Sequence, residues 1–235
     1  MEAPLSRDIK KSYSADVIIA ALNEEEGVGL TIAEMLRSIR ANRFIVVDGH
    51  STDRTVEIAE NMGAQVLFQD GNGKGDAIAK AVGYIDPDAD YVVITDADFT
   101  YPAEHVPEMI TILEKNPSVG MVCGNRFNDS AERKALHNLF YIGNRILAFS
   151  HNLLNGITLQ DPLTGLRVIR AEILRGWKVK SKGFDIEVEL NHQVERRGFE
   201  IAEVPIRYRI RLGEKKLKAK HGATILKRIL VESTY

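Results

Sequence analysis

The chain has 235 residues, of which 44% are hydrophobic and 27% charged, and this balance is typical of a globular protein with a substantial core. The single cysteine, Cys123, excludes an internal disulfide and a cysteine-based zinc site, so we expect a reducing compartment and a buried, inert thiol. Residues 1–14 lack the apolar core of a secretory signal. No stretch reaches the roughly 18 uninterrupted apolar residues of a transmembrane helix, which argues against a membrane-spanning chain.

Charge is distributed unevenly, although the net charge is only −2. Residues 205–235 contain nine lysines and arginines against two glutamates, a local balance of +7 that leaves −9 on the rest. A basic segment of this kind indicates an anionic partner. We expect no nucleic acid, because the basic residues lack the interleaved aromatic side chains of a strand-binding platform and the acidic body would repel a polyanion.

Apolar runs alternate with segments of helical periodicity along the first half of the chain. In the segment 28–40, Ile32, Leu36 and Ile39 recur at helical spacing and mark one buried face. The predicted strands are 16–21, 43–48, 64–68 and 91–96, and the predicted helices are 28–40, 52–62, 76–85 and 103–115. Four strand–helix units in succession predict an α/β fold with a mostly parallel central sheet flanked by helices.

A polar or glycine-rich cluster follows each of these four strands. The clusters are Asn23 with Glu24, the segments 48–53 and 71–75, and Asp96 with Asp98. Ligands of such sheets bind at the carboxyl ends of the strands. We therefore expect the four clusters to line one crevice.

The second half of the chain is less regular. An apolar segment at 133–155 predicts a helix or a helix pair that could lie under a sheet or at a membrane surface. Further predicted elements are a strand at 166–170, a helix at 186–196 and a strand at 201–208. No proline- or glycine-rich linker interrupts the chain, so we expect one domain.

Residues 223–231 form an amphipathic pattern near the carboxyl end. Ile225, Leu226, Ile229 and Leu230 fall on one helical face, and Lys227 and Arg228 fall towards the other. This pattern suits a helix that lies on an anionic membrane. An ordinary amphipathic helix that packs on the domain is the alternative.

Asp96 and Asp98 end an apolar strand and point to the same side if the chain stays extended through Ala97. Two like charges held close are costly unless a cation or a raised pKa offsets them. Their oxygens suit a hard ion such as Mg²⁺ or Mn²⁺, whose coordination substrate phosphates complete. The alternative is an aspartate pair that turns the chain and caps the helix beginning near Ala103.

Seven short motifs, in this order along the chain, resemble the family 2 glycosyltransferases of the GT-A fold, and within them the dolichol-phosphate mannose synthase group. The motifs are AALNEE (20–25), VVDGHSTD (46–53), GKG (73–75), DAD (96–98), GNR (124–126), DPLTGLR (161–167) and RLGEKKL (211–217). The resemblance implies a single Rossmann-like GT-A domain over 1–235. Residues 14–125 would form its nucleotide-sugar-binding half, and residues 126–235 an acceptor half with the basic segment.

The resemblance also implies a donor site. Leu22, Asn23, Glu24 and Asp48 would hold the base and ribose of a UDP- or GDP-sugar, since a carboxylate accepts hydrogen bonds from ribose hydroxyls. Lys74 and Gly75 would approach the diphosphate, although a surface turn also explains the GNGKG sequence. Asp53 is interpreted as setting the start of the next helix.

Asp96 and Asp98 match the family's D-x-D motif, which binds Mg²⁺ or Mn²⁺ on the donor diphosphate. Asp98 is therefore a catalytic as well as a metal-binding candidate. The family's mannose synthases often carry a glutamine two residues after the second aspartate as a further ligand, whereas this chain has Thr100.

The acceptor side is implied by basic residues. Arg126 and Arg211, with Lys216, match family positions that bind acceptor or donor phosphates, and the arginine fork suits phosphate. Asp161 matches an acceptor-side aspartate. A lipid phosphate is already ionised near neutral pH and needs no general base, whereas a hydroxyl acceptor would make Asp161, Asp185 or Glu187 the candidate base.

The preferred interpretation is an inverting, metal-dependent glycosyltransferase that moves a sugar to a dolichyl or polyprenyl phosphate at the cytoplasmic face of a membrane. It would act as a peripheral protein with a possible membrane subunit or as a homo-oligomer. One alternative keeps the donor and uses a soluble acceptor, such as a phosphorylated small acid or a glycan hydroxyl. Another is a non-catalytic, membrane-recruited binding subunit, and a nucleotidyltransferase is disfavoured because a glycine- and arginine-rich loop does not follow the first strand.

Overall fold

A seven-stranded sheet runs through the centre of the computed structural model, which describes residues 13–128, 139–155, 158–217 and 221–233. The strands are β1 Ala15–Ala21, β2 Arg43–Asp48, β3 Gln65–Phe68, β4 Tyr91–Asp96, β5 Val119–Asn125, β6 Arg167–Arg170 and β7 Glu200–Pro205. The helices are α1 Val28–Ser38, α2 Thr55–Asn61, α3 Lys74–Val82, α4 Val106–Lys115, α5 Leu139–Asn155, α6 Ala171–Leu174, α7 Ile186–Arg196 and α8 His221–Glu232.

The sheet order is β3-β2-β1-β4-β6-β5-β7. β1 pairs in parallel with β2 and β4, β2 pairs in parallel with β3, and β5 pairs in parallel with β7. β6 is antiparallel to both of its neighbours, β4 and β5. The predicted mostly parallel sheet is therefore confirmed, and β6 joins its two parallel parts.

Alternating side chains of the strands supply two hydrophobic layers. On one face, Val17, Val46 and Val93 pack with side chains of α1, α2 and α4. On the other face, Ile18 and Ile45 pack with α3, α6 and α7, and Cys123 is buried in the same layer. A strand buried on both faces has to be apolar at every position, which explains the uninterrupted apolar runs in the sequence.

Helix α8 packs on the domain. Ile225 and Ile229 are buried against Val188 of α7, with Leu147 of α5 alongside. Leu226 and Leu230 are 40% and 50% exposed, so the four apolar residues predicted to share one face divide between the core and solvent. None of the helices in the described ranges is long and apolar enough to cross a bilayer.

Part of the positive charge of residues 205–235 is paired with carboxylates of the protein. Arg228 lies 3.1 Å from Asp185 and 3.3 Å from Glu232 and is mostly buried, so it fixes α8 to α7 rather than facing outwards. Arg209 forms a two-pronged pair with Glu34 of α1, at 2.8 and 2.6 Å. Of the two alternatives for residues 223–231, the structure shows a helix that packs on the domain, and Arg228 does not face outwards because internal carboxylates occupy its guanidinium.

Most predicted element boundaries shift by up to about three residues, and two elements of the second half differ more clearly. The helix predicted at 133–155 is observed over Leu139–Asn155, and residues 133–138 lie outside the described residues, as do residues 1–12 of the amino-terminal segment. The strand predicted at 201–208 ends at Pro205. Beyond it, residues 206–217 cross the carboxyl ends of the strands, with Arg209 N–H donating to the Thr100 carbonyl and Leu212 N–H to that of Asp98.

Candidate active site

A cavity of about 840 Å³ opens at the carboxyl ends of the parallel strands. It is lined by the candidate residues Leu22, Glu24, Lys74, Asp96, Asp98, Arg126, Arg211 and Lys216. Glu187, Tyr101 and Gly165 line it as well. The structure therefore brings residues from both halves of the chain to one cavity, while Asn23, Asp48, Gly75 and Asp161 lie beside it.

The two aspartates of the D-x-D motif have different surroundings. Asp98 is 8% exposed, and its Oδ1 accepts hydrogen bonds from the Thr100 hydroxyl at 2.6 Å and the Thr100 N–H at 3.1 Å. Burial, and then the charge of Asp96, raises the pKa of Asp98 above its ordinary value. Thr100, two residues after Asp98, therefore fixes the orientation of this carboxylate.

Lys74 neutralises Asp96. Its ammonium lies 2.5 Å from Asp96 Oδ1 and 2.7 Å from Glu187 Oε1, and its side chain is 9% exposed. Burial alone would lower the pKa of Lys74, but the two carboxylates raise it above its ordinary value, so the side chain stays charged. Lys74 thus connects an acid at the end of β4 to an acid on α7.

Arg211 contacts two acids of the cavity, Glu24 and Asp98. Its Nη2 donates to Glu24 Oε1 at 2.6 Å, and its Nη1 lies 3.5 Å from Asp98 Oδ2. Burial raises the pKa of Glu24 to about 7 even though Arg211 opposes the shift, and Glu24 Oε2 has no hydrogen-bond partner. Lys216 reaches the same corner and donates to the Asn23 carbonyl at 3.3 Å.

The acid pair fits a divalent cation. No group of three or more metal-ligating side chains occurs among the described residues. Two carboxylates with open positions are what Mg²⁺ and Mn²⁺ use when substrate oxygens complete the coordination. Asp96 and Asp98 would hold the ion. Glu24 Oε2, which has no hydrogen-bond partner, is a further carboxylate oxygen in the same cavity.

Asn23 and Asp48 shape the turns that border the cavity. Both carboxylate oxygens of Asp48 accept from Ser51, at 2.7 Å from the N–H and 2.5 Å from the hydroxyl, and Asp48 is fully buried. Asn23 has φ of 49° and accepts from the Thr52 N–H at 2.7 Å. Asp53 accepts from Thr55 at the start of α2, in keeping with the structural role predicted for it.

The GKG loop meets protein rather than open space. A Cβ at Gly75 would lie 2.4 Å from the Ser181 carbonyl oxygen, and the Gly75 N–H donates to the Gly183 carbonyl. Gly73 has φ of 92°. Glycine at positions 73 and 75 thus leaves room for the backbone of 181–183. The prediction that Gly75 approaches the diphosphate is corrected, because its N–H already donates to the Gly183 carbonyl.

Arg126 and Asp161 form a buried ion pair. Arg126 Nε lies 2.6 Å from Asp161 Oδ2, Nη2 lies 2.7 Å from Oδ1, and the Arg126 N–H also donates to Oδ2. Burial works against the charge, but Asp161 raises the pKa of Arg126 well above its ordinary value. Since Asp161 is 1% exposed and lies outside the cavity, the structure places it behind Arg126, and not at a position for proton abstraction.

Glu187, Tyr101 and Gly165 have contacts in the site that the sequence did not predict. Glu187 was considered as a base but serves as the second partner of Lys74. The Tyr101 hydroxyl accepts from the Gly165 N–H at 2.7 Å, and a Cβ at Gly165 would lie 2.5 Å from Asp96 Oδ2. The glycine of the DPLTG motif was the available signal, because a glycine there permits close approach.

Comparison with known proteins gives a consistent result. The model of the family described as glycosyl transferase family 2 matches residues 16–177. A dolichyl-phosphate hexose transferase of Haloferax volcanii is 35% identical over 218 residues, which cover 92% of this chain and 92% of that protein. A dolichol-phosphate mannosyltransferase of Pyrococcus furiosus is 26% identical over 212 residues, 87% of this chain but 59% of that protein.

Solved structures share the fold. Glucosyl-3-phosphoglycerate synthase of Mycobacterium tuberculosis with Mg²⁺ and UDP has a TM-score of 0.76 at 21% identity, covering 96% of this chain and 81% of that one. The same protein with Mn²⁺, UDP and glucosyl-3-phosphoglycerate gives 0.74 at 20% identity with the same coverage. These likenesses confirm the predicted GT-A fold.

Proposed function

This chain belongs to glycosyl transferase family 2, and we propose that it moves a sugar, with inversion, from a UDP- or GDP-sugar to a dolichyl or other polyprenyl phosphate. The observation that carries the proposal is the shared cavity, in which the acid pair Asp96 and Asp98 faces the basic side chains Arg126 and Arg211. A transfer between a diphosphate leaving group and a phosphate nucleophile needs both kinds of charge in one place.

The donor occupies the side of the cavity lined by Leu22, Glu24 and Lys216 in this proposal. Leu22 is 40% exposed, which suits an apolar contact to a base. Asn23 and Asp48 support this side from behind by fixing its turns. Lys74 and Arg211 lie closest to the acid pair and are the candidates for the diphosphate.

Asp96 and Asp98 are the proposed ligands of Mg²⁺ or Mn²⁺. When bound, the ion neutralises charge that develops on the departing nucleoside diphosphate, so this group leaves without needing a proton. The chain prepares the site by burying Asp98 and by orienting it with Thr100. The relatives solved with UDP and Mg²⁺ or Mn²⁺ support this assignment.

Arg126 is the proposed anchor of the acceptor phosphate. It lines the cavity, its charge is secured by Asp161, and its guanidinium lies 5.4 Å from the centre of the Tyr208 ring. A phosphate monoester is ionised near neutral pH, so the chain has to position the nucleophile and compensate its charge without removing a proton. The Haloferax and Pyrococcus relatives, named for dolichyl and dolichol phosphate, favour this acceptor.

An exposed apolar surface supports a lipid over a soluble acceptor. Ile146, Phe149 and Leu153 recur along α5 and are 60%, 66% and 69% exposed. Leu226 and Leu230 are exposed on α8, which packs against α5. We call these five residues the α5/α8 surface and propose that it rests on the membrane that contains the acceptor, at its cytoplasmic face.

The deciding experiment is a screen of radiolabelled UDP- and GDP-sugars against a short, water-soluble polyprenyl phosphate, with Mn²⁺ or Mg²⁺ added. Sugar transfer to the polyprenyl phosphate is expected with one donor. A parallel arm offers 3-phosphoglycerate, because a structural neighbour was solved in complex with phosphoglyceric acid. Transfer to phosphoglycerate alone would replace the lipid acceptor with a soluble one.

A further inference from the structure

The loop 160–165 connects the two ends of the catalytic cavity. At its start, Asp161 holds Arg126 through the two-pronged ion pair. At its end, Gly165 packs against Asp96 so closely that a Cβ would lie 2.5 Å from the carboxylate. A displacement of this loop would therefore move the proposed acceptor anchor.

Arg167, directly after the loop, holds it in place. Its Nε donates to the Thr164 carbonyl at 2.9 Å and its Nη2 to the Pro162 carbonyl at 2.7 Å. Its Nη1 donates to Asn191 Oδ1 at 2.5 Å. The side chain is 1% exposed, and the hydrogen bonds that the structure gives it go to uncharged groups, namely two carbonyls, the Asn191 amide and the Met121 sulfur.

A buried guanidinium without a carboxylate partner is expensive, because its desolvation is repaid only through hydrogen bonds. The planar fork of arginine reaches the two carbonyls and Asn191 from three separate nitrogens held in one plane, whereas a lysine would have to reach them from a single nitrogen. Two further groups act on the same loop. Asn191 Nδ2 donates to the Pro162 carbonyl at 3.1 Å, and Glu203 accepts the N–H groups of Gln160 and Asp161 at 2.7 Å each.

We propose that Arg167 is a positioning residue for sugar transfer, which fixes the loop 160–165 and through Asp161 sets the orientation of Arg126. Arg167 is not among the residues that line the cavity, so it would act through Asp161 and Arg126. The inference rests on the proposed function, since it assigns Arg126 to the acceptor phosphate.

Arg170, on the same strand, provides a matched control. It also donates to backbone carbonyls, with Nε 2.8 Å from the Val119 oxygen and Nη2 2.6 Å from that of Leu113. These contacts lie at the other end of β6, away from the cavity. Arg167→Met and Arg170→Met should both lower the melting temperature, but only Arg167→Met should affect transfer.

The test measures kcat/KM for a short polyprenyl phosphate in Arg167→Met, Arg126→Ala and the double variant. Arg167→Met is expected to lower kcat/KM roughly 10- to 100-fold, with nucleoside diphosphate affinity by calorimetry changed less than about two-fold. The double variant is expected to be no worse than Arg126→Ala alone, because Arg167 acts through Arg126. Multiplicative effects would overturn the inference.

Asn191→Ala is the milder variant to use if Arg167→Met does not fold, and a loss of about five-fold is expected from it. Amide hydrogen exchange provides a readout that needs no transfer. Exchange at 160–165 should accelerate in Arg167→Met or Asn191→Ala but not in Arg170→Met, and an unchanged loop would overturn the inference. If wild-type protein transfers no sugar, the proposed function fails, and exchange alone then decides whether Arg167 holds the loop.

Discussion

Arg126 and Asp161 meet through two parallel hydrogen bonds of 2.6 and 2.7 Å, so the carboxylate that precedes the PLTG sequence is the counter-ion of the arginine that ends the GNR sequence. The two motifs lie 35 residues apart and are joined behind the cavity wall. A carboxylate in this position cannot approach an acceptor hydroxyl, because Arg126 stands between them. It can keep the guanidinium oriented and charged.

Asp161→Asn should therefore impair acceptor use without removing a titrating base. We expect kcat/KM for polyprenyl phosphate to fall roughly 10- to 100-fold, because Arg126 loses its counter-ion and at least one of its three hydrogen bonds to Asp161. The pH profile of kcat/KM should keep its shape. Loss of the acidic limb in the variant would restore the general-base interpretation of Asp161.

Chelation should abolish transfer if Asp96 and Asp98 hold the metal. Asp98→Ala should lower kcat at least about 100-fold, since the ion loses a direct ligand, while circular dichroism stays native. Asp88→Ala, an exposed aspartate outside the cavity, is the control and should retain activity. Full transfer in excess EDTA would contradict the metal assignment.

The ion pairs of Lys74 with Asp96 and Glu187 should stabilise the folded protein in addition to ordering the site. Lys74→Met leaves Asp96 and Glu187 facing each other, and breaking a buried pair in this way costs about 3–5 kcal/mol in the free energy of unfolding. Adding Glu187→Gln should recover part of the loss. Lys80→Met, on the same helix and paired with exposed Asp70, should cost less than about 1 kcal/mol. Urea unfolding measures all three, and equal losses for the two lysines would refute the argument.

Acid should destabilise the protein partly through His192. Burial lowers the pKa of His192 to about 4, so the unfolded state binds the proton first as the pH falls through about 6.5, and stability is lost between there and pH 4. The loss from this group is about 2 kcal/mol between pH 7 and pH 5. Burial raises the pKa of the facing Glu195 to about 7, although the charge of Arg196 works against this shift. The folded state therefore binds a proton at Glu195 more readily than the unfolded state, which opposes the loss of stability from His192. His192→Gln should shrink the difference in urea midpoint between the two pH values, and an unchanged difference would show that His192 does not contribute.

The parts of the fold that follow from local pattern were predictable from the sequence. Apolar runs and helical spacing located the first four strand–helix units within a few residues, and the rule for parallel sheets placed their polar clusters at one edge. The antiparallel insertion of β6 between β4 and β5 has no local signature, because pairing direction depends on residues far apart in the chain.

The candidate site was predictable in its membership more than in its contacts. Asp96, Asp98 and Arg126 were candidates from the sequence, and all three line the same cavity. Their partners were not, since Glu187 lies 113 residues beyond Lys74 and a carboxylate on a helix gives no sign of its distant counter-ion. The same reason accounts for Arg228, whose alternation with apolar residues suggested a solvent-facing charge while three carboxylates surround it.

The α5/α8 surface should draw the protein to membranes. We expect co-sedimentation with vesicles that contain anionic lipid, weakening as salt screens the basic residues. Phe149→Asp combined with Leu153→Asp should reduce vesicle binding about 10-fold or more, because the surface loses apolar area and gains negative charge. Transfer to a short, water-soluble polyprenyl phosphate should be unchanged, since neither residue lines the cavity.

Two comparisons make the membrane test specific. Leu36→Asp replaces a side chain of similar exposure, 50%, on α1 outside the α5/α8 surface and should leave vesicle binding intact. Arg228→Glu should instead lower the melting temperature, because it places a fourth acid among Asp185, Glu189 and Glu232. Wild-type protein that ignores vesicles at every salt concentration, and transfers sugar to phosphoglycerate but not to polyprenyl phosphate, would establish the soluble acceptor instead.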